Sequence, residues 1–115
     1  MSSKRKKSSG SCRVNRGRKV DVEARNKKYP DTFKIASKSR RAGLKKGNYA
    51  KVIWECKRGG DRMWVKIAAV LKKRGKVAYV GELRNKRVKC GPCEGARVIF
   101  EPKHVADFST RMRSG

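Results

Sequence analysis

Acidic residues are scarce in this chain. Nine Asp and Glu stand against 34 Lys and Arg over 115 residues. The nine are scattered, so no acidic cluster offers a metal-binding site. Histidine is scarcer still: His104 is the only one. With it alone no nucleophile–base–orienter set is legible, and an enzymatic function has little to stand on. His104 reads as a helix-turn or surface residue. No run approaches the roughly 18 apolar residues of a membrane span. The N-terminal stretch MSSKRKKSSGS has a charged start but no apolar h-region, so it does not read as a secretory signal. Lys45-Lys46-Gly47 and Arg58-Gly59-Gly60 lack the spacing of a phosphate-cradling P-loop. No internal repeat at a solenoid period is present.

What the chain has is positive charge, a formal net +25. Held compact in water, so many like charges repel one another and oppose folding. A polyanion removes that penalty, and release of its condensed counterions adds affinity. The expected partner is therefore nucleic acid or another polyanion, or the protein subunits of a large assembly rich in it. The alternative is a solvated, supercharged surface with no specific ligand. Lys4-Arg5-Lys6-Lys7 also resembles a nuclear localisation signal, a short and common pattern. With 37% hydrophobic residues, one modest core is possible.

The composition shifts near Tyr29. Residues 1–28 carry 11 Lys/Arg and two acids, Asp21 and Glu23, a net +9 (11 − 2). Apart from Met1, their only aliphatics larger than Ala are Val14, Val20 and Val22. So little apolar surface does not offset ordering entropy, which predicts an extended basic arm, disordered when free. Residues 29–108 are expected to form the folded domain, and 109–115 a flexible tail.

From Tyr49 the apolar pattern has period two. Ala50, Val52, Trp54 and Cys56 share one face, while Lys51, Glu55 and Lys57 take the other, with Ile53 among them. That alternation predicts a half-buried strand over 49–57. Arg58-Gly59-Gly60-Asp61 reads as a turn. Met63, Val65, Ile67, Ala69 and Leu71 then alternate with Arg62, Trp64, Lys66 and Ala68, predicting a second, antiparallel strand over 62–71. After the cationic turn Lys72-Lys73-Arg74-Gly75-Lys76, residues Val77, Tyr79, Gly81 and Leu83 mark a third strand. Residues 97–101 make a short fourth strand that Pro102 ends, and 103–108 are expected to form one helical turn. Thr32-Phe33-Lys34-Ile35 is a candidate further strand, and Leu44–Asn48 a turn. Several short strands with Gly-marked turns predict a mostly β fold, a small SH3-like barrel or half-barrel of antiparallel strands. Closure also hides sticky sheet edges.

An ordered motif series runs through this region. It comprises Tyr29-Pro30-Asp31-Thr32-Phe33, Leu44-x-x-Gly47-Asn48-Tyr49-x-Lys51-Val52 and Met63-Trp64-Val65-Lys66-Ile67. It continues with Val80-Gly81-Glu82-Leu83-x-Asn85 and Gly95-x-x-Val98-x-Phe100-x-Pro102-x-His104-Val105-x-Asp107. The series resembles a widespread, typically bacterial small domain of unknown function, built around a Met-Trp-Val strand and a Gly-x-Leu-x-Asn turn. It covers about residues 29–108. This chain departs from the family pattern at Ala96, where an acid is usual, and at Lys86-Arg87, where a proline is common. The resemblance implies a fold and no activity.

Four cysteines remain. Cys90-Gly91-Pro92-Cys93 has the spacing that can set two thiolates on one zinc, with Cys12, Cys56 and His104 as conceivable further ligands. A second close-spaced pair is lacking, so no cofactor is expected and Cys90 and Cys93 stand only as weak metal candidates. The same letters occur in thioredoxin-like active sites, where the motif follows an early strand and opens a helix. Here it lies late and leads into a strand. The plainest reading is a tight loop whose thiols are free, or bridged in an oxidising environment. Trp64, between Arg62 and Lys66, either stacks a base or, as is commoner for a strand Trp, caps the core or packs under a tail.

The candidate contacts to nucleic acid or protein partners are the cations of the arm and turns. They are Lys4, Arg5, Lys6, Lys7, Arg13, Arg16, Arg18 and Lys19 in the arm, Lys72, Lys73, Arg74 and Lys76 in the turn, and Arg84, Lys86 and Arg87 beyond the third strand. These are phosphate-positioning residues without a visible base-reading helix. The sequence thus points to a non-enzymatic structural component of a large assembly, a virion or other nucleoprotein particle. A free-standing, non-specific nucleic-acid-binding module is the alternative, and a zinc-binding or redox protein a third reading.

Overall fold

The computed structural model describes residues 17–57, 59–85 and 90–110. The chain runs β1 (Arg18–Lys19), α1 (Val22–Lys28), α2 (Lys38–Ala42), β2 (Tyr49–Cys56), β3 (Gly59–Lys73), β4 (Lys76–Leu83) and β5 (Arg97–Phe100). A 3-10 turn (Pro102–His104) and β6 (Val105–Ser109) follow. All strand pairings are antiparallel, in the order β1-β2-β3-β4-β5, with β6 also on β2. The sheet is the expected half-barrel, consistent with an SH3-like fold.

The alternating residues of β2 and β3 build its core. Val52 stands opposite Met63 and Ala50 opposite Val65. With Trp54, Ile67, Tyr79, Leu83, Phe100 and Val105 they form one buried cluster. Gly81 sits where a Cβ would lie 2.4 Å from Val65 Cγ1 and 2.6 Å from the Lys66 carbonyl oxygen, so the close approach of β4 to β3 requires glycine. The Leu44–Asn48 turn is laced to β3. The Gly47 amide donates to the Ile67 carbonyl at 2.8 Å, and the Ile67 amide to the Asn48 carbonyl at 2.8 Å.

Four expectations change. First, the arm does not extend to residue 28. β1 pairs with β2, Asp21 caps α1 by accepting the Ala24 amide, and Val20 and Val22 are buried against Ile53. Ile53, the apolar residue on the sheet's polar face, supplies the partner that the segment could not find within itself. Residues 1–16 of the expected arm lie outside the described residues, as do Arg58, Lys86, Arg87 and residues 111–115.

Second, residues 32–35 form no strand. They fold back beside α1, with the Phe33 carbonyl accepting from Asn26 Nδ2 at 2.7 Å, and Phe33 and Ile35 join the Val20–Val22–Ile53 cluster. The edge of β2 that such a strand would need is taken by β1 and β6.

Third, the helical turn at 103–108 stops at His104, and Val105–Ser109 becomes a strand whose backbone groups pair with β2. This strand carries the domain to Ser109.

Fourth, β3 does not keep one face to its end. The pairing steps from Ile67↔Gly81 to Ala69↔Val80, leaving Ala68 as a bulge. A one-residue slip exchanges the two faces of a strand. Val70 therefore packs toward the core, and Leu71, expected inside, is 49% exposed.

Candidate nucleic-acid interface

The cationic turn expected between two strands is the apex of the β3–β4 hairpin. Lys73 pairs with Lys76, Lys72 with Val77 and Leu71 with Ala78. The two-residue connection is Arg74-Gly75, at φ 53° and 78°. Two positive φ values belong to the type I′ turn, whose twist matches that of a hairpin. Lys72, Lys73, Arg74 and Lys76 are all exposed. None of them takes part in the three ion pairs among the described residues, which join Arg25 to Glu55, Arg41 to Glu23 and Arg84 to Glu82.

The other candidates fall elsewhere. Arg18 and Lys19 lie on β1, beside Glu55 and α1. Arg84 follows β4 and reaches Glu82 at 3.0 Å. Lys4, Arg5, Lys6, Lys7, Arg13, Arg16, Lys86 and Arg87 lie outside the described residues. The structure thus gathers Lys72, Lys73, Arg74 and Lys76 at one apex and does not unite them with the β1 pair.

Several motif residues are spent on the fold. Asn85, last of Gly81-x-Leu83-x-Asn85, accepts the Trp64 amide through Oδ1, while the Arg84 amide donates to the Trp64 carbonyl at 2.9 Å. The turn motif therefore extends the β3–β4 ladder. Trp64 is only 8% exposed, and the Lys51 ammonium lies 4.9 Å from its ring centroid, so its ring packs and offers no platform to a base. Comparison with family models, curated proteins and solved structures finds no match to this chain.

The cysteine loop takes the bridged form of the plainest reading. Cys90 is bridged to Cys56, the last residue of β2, and not held as a thiolate with Cys93. That bridge uses two of the sulfurs the zinc reading required. No group of three or more His, Cys, Asp or Glu that could hold a metal occurs among the described residues. Cys90 through Cys93 are all buried. The Cys90 amide donates to Asp61 Oδ2 at 3.0 Å, and Gly91 (φ 92°) presses on Met63 and Trp54, where a Cβ would sit 2.4 Å from Met63 Cε. The loop closes one end of the core.

Arg41 had no sequence signal, and His104, read as a helix-turn residue, ends the 3-10 turn. Arg41 is buried, its Nε donating to the Ala36 carbonyl at 2.8 Å and Nη1 to Glu23 and the Pro102 carbonyl, each at 2.8 Å. It ties α1, α2 and the 3-10 turn together and is not part of the basic surface. His104 Nδ1 accepts the Glu101 amide at 3.0 Å, a role only the neutral ring fills. Burial, helped by Lys19, pushes its pKa below the ordinary 6.5.

Proposed function

We propose that this protein is a non-enzymatic structural component of a nucleic-acid-rich assembly, a viral particle foremost, that contacts polyanion through its basic surface. The observation that carries this reading is that the fold has already engaged most of its acids. Glu23, Glu55 and Glu82 are in ion pairs. Asp21 caps α1, Asp61 accepts the Cys90 amide, and Asp107 accepts the Phe108 amide.

All nine acids lie on described residues, together with 22 of the 34 cations, so this part alone carries +13 (22 − 9). That excess is not neutralised from within, and a polyanion offsets it. Residues 1–16 add six Lys/Arg and no acid, the composition of basic arms that bind nucleic acid. The two helices among the described residues, of seven and five residues, are too short to lie along a groove as recognition helices, so binding through this part is expected to be indifferent to sequence. The kinship implied by the motif series remains a proposal about descent and adds no activity.

Titrating heparin and a scrambled duplex at two or more salt concentrations tests this reading. Affinity should fall steeply, with a slope of about 0.9 log units per phosphate neutralised on a duplex. Salt-independent affinity, or strong preference for one sequence, would refute it.

A further inference from the structure

Beyond the Ala68 bulge the β3–β4 hairpin parts from the rest of the sheet. The pairing of β4 with β5 ends at Tyr79↔Phe100, and β2 pairs with β3 only as far as Lys66. From Leu71 to Ala78 the two strands pair only with each other. This segment is a two-stranded ribbon with four cations in its last five residues, Lys72 to Lys76.

Its apex carries a second feature. Arg74 is the one non-glycine residue at positive φ among the described residues. The first position of a type I′ turn favours Asn, Asp or Gly, and an arginine there is held in a disfavoured conformation. A backbone outlier of this kind at an exposed tip calls for a functional reading. Arg74 is exposed at the very end of the ribbon.

We infer that the β3–β4 ribbon enters the major groove of duplex DNA, with Lys72, Lys73, Arg74 and Lys76 against the phosphates that wall it. This rests on the polyanion reading above and names the form of polyanion and the element that meets it. Paired strands lie about 4.8 Å apart, so with side chains on both sides a ribbon matches a groove about 12 Å wide and 8.5 Å deep. At about 3.4 Å per residue, that depth takes the turn and the Lys73–Lys76 pair before Val77, which packs against the core, meets the rim. The A-form duplex excludes this fit, because its major groove is deep and narrow. Three lysine point charges and a single planar guanidinium, that of Arg74, predict grip with little sequence choice.

The test uses the full chain and two variants, each with four fewer charges. One carries Lys72→Thr, Lys73→Thr, Arg74→Asn and Lys76→Thr, which keeps strand and turn chemistry. The other carries Lys27→Gln, Lys28→Gln, Lys34→Gln and Lys38→Gln, all exposed and away from the ribbon. Binding is measured to a scrambled DNA duplex, an RNA duplex of the same length, and heparin.

The ribbon variant should lose most of the preference for DNA over RNA, and its DNA salt slope should drop by about 3–4. The distant variant should keep the preference. Arg74→Asn alone should melt no lower than the parent, because Asn-Gly suits the turn, yet bind DNA with a slope lower by about 1. Equal losses in the two charge-matched variants, or an RNA duplex bound as tightly as DNA by the parent, would overturn the groove assignment and leave general polyanion binding standing. A parent that binds neither duplex nor heparin would overturn the polyanion reading itself.

Discussion

Tyr79→Phe isolates one hydroxyl on which the junction of helix and sheet depends. Tyr79 is fully buried on β4, and its hydroxyl donates to the Arg41 carbonyl at 2.6 Å while accepting the Leu44 amide at 3.2 Å. The Arg41 carbonyl belongs to the last turn of α2 and the Leu44 amide to the chain just past its cap at Gly43, where a five-residue helix has few partners of its own. Phenylalanine preserves the ring packing on Phe100, 5.3 Å away between centroids. What is lost is the bridge, and two buried backbone groups are left unpaired. Each such group costs about 1–3 kcal/mol, so the variant should be destabilised by about 2–6 kcal/mol. For a domain near 100 residues the lower bound alone corresponds to a fall in Tm of roughly 8–16 °C.

Urea denaturation followed by Trp fluorescence measures the change, with the m-value unchanged if the unfolded state is unaffected. A loss below about 0.5 kcal/mol would refute the bridge, since that is less than one ordinary hydrogen bond. Burial raises the Tyr79 pKa above 10.0, against the smaller lowering effect of the Leu44 hydrogen bond. The folded state therefore holds this proton longer than the unfolded chain does. The parent should lose stability as pH rises from 10.0 through the folded value, and Tyr79→Phe should lose that part of the slope.

The Cys56–Cys90 bridge closes a loop with a sequence separation of 34, which in the chain-entropy model contributes about 3–4 kcal/mol. Reduction or Cys90→Ser should lower the denaturation midpoint accordingly, peptide mapping should show Cys93 alkylated only on unfolding, and chelator should leave the melting temperature unchanged. A chelator-induced collapse would restore the metal reading. His104, with its pKa lowered, favours the folded state above pH 6.5, and that contribution is lost as pH falls through the folded value. His104→Gln should flatten the stability profile in this window, as read by denaturation at pH 5 to 8. Val22→Ala empties a fully buried site under α1 and should cost about 2 kcal/mol while exposing residues 17–28 to protease. Unchanged proteolysis would mean that this segment does not depend on its packing against Ile53.

The sequence by itself determined the half-barrel class and the strands of its centre. Alternation at Ala50–Trp54, Met63–Ile67 and Tyr79–Leu83 is a property of neighbouring residues, and it points at a sheet with one buried face wherever that sheet lies. The charge excess is equally local information, a sum over the chain that no packing alters. The tertiary structure decided whatever depends on residues far apart. Leu71 reads as core by alternation, but one extra residue on β3 relative to β4 turns it outward, and a bulge exists only in the pairing of two strands. Ile53 reads as an exception on a polar face until Val20 and Val22 arrive from outside the β region to cover it. Val105–Ser109 becomes a strand because β2 offers an open edge. Cys90 finds Cys56, distant in sequence, and not Cys93 three residues away, because the sheet brings the end of β2 to the loop. The cations Lys72 to Lys76 are plain in the sequence, but their presentation at the tip of a two-stranded ribbon follows from where the neighbouring strands stop.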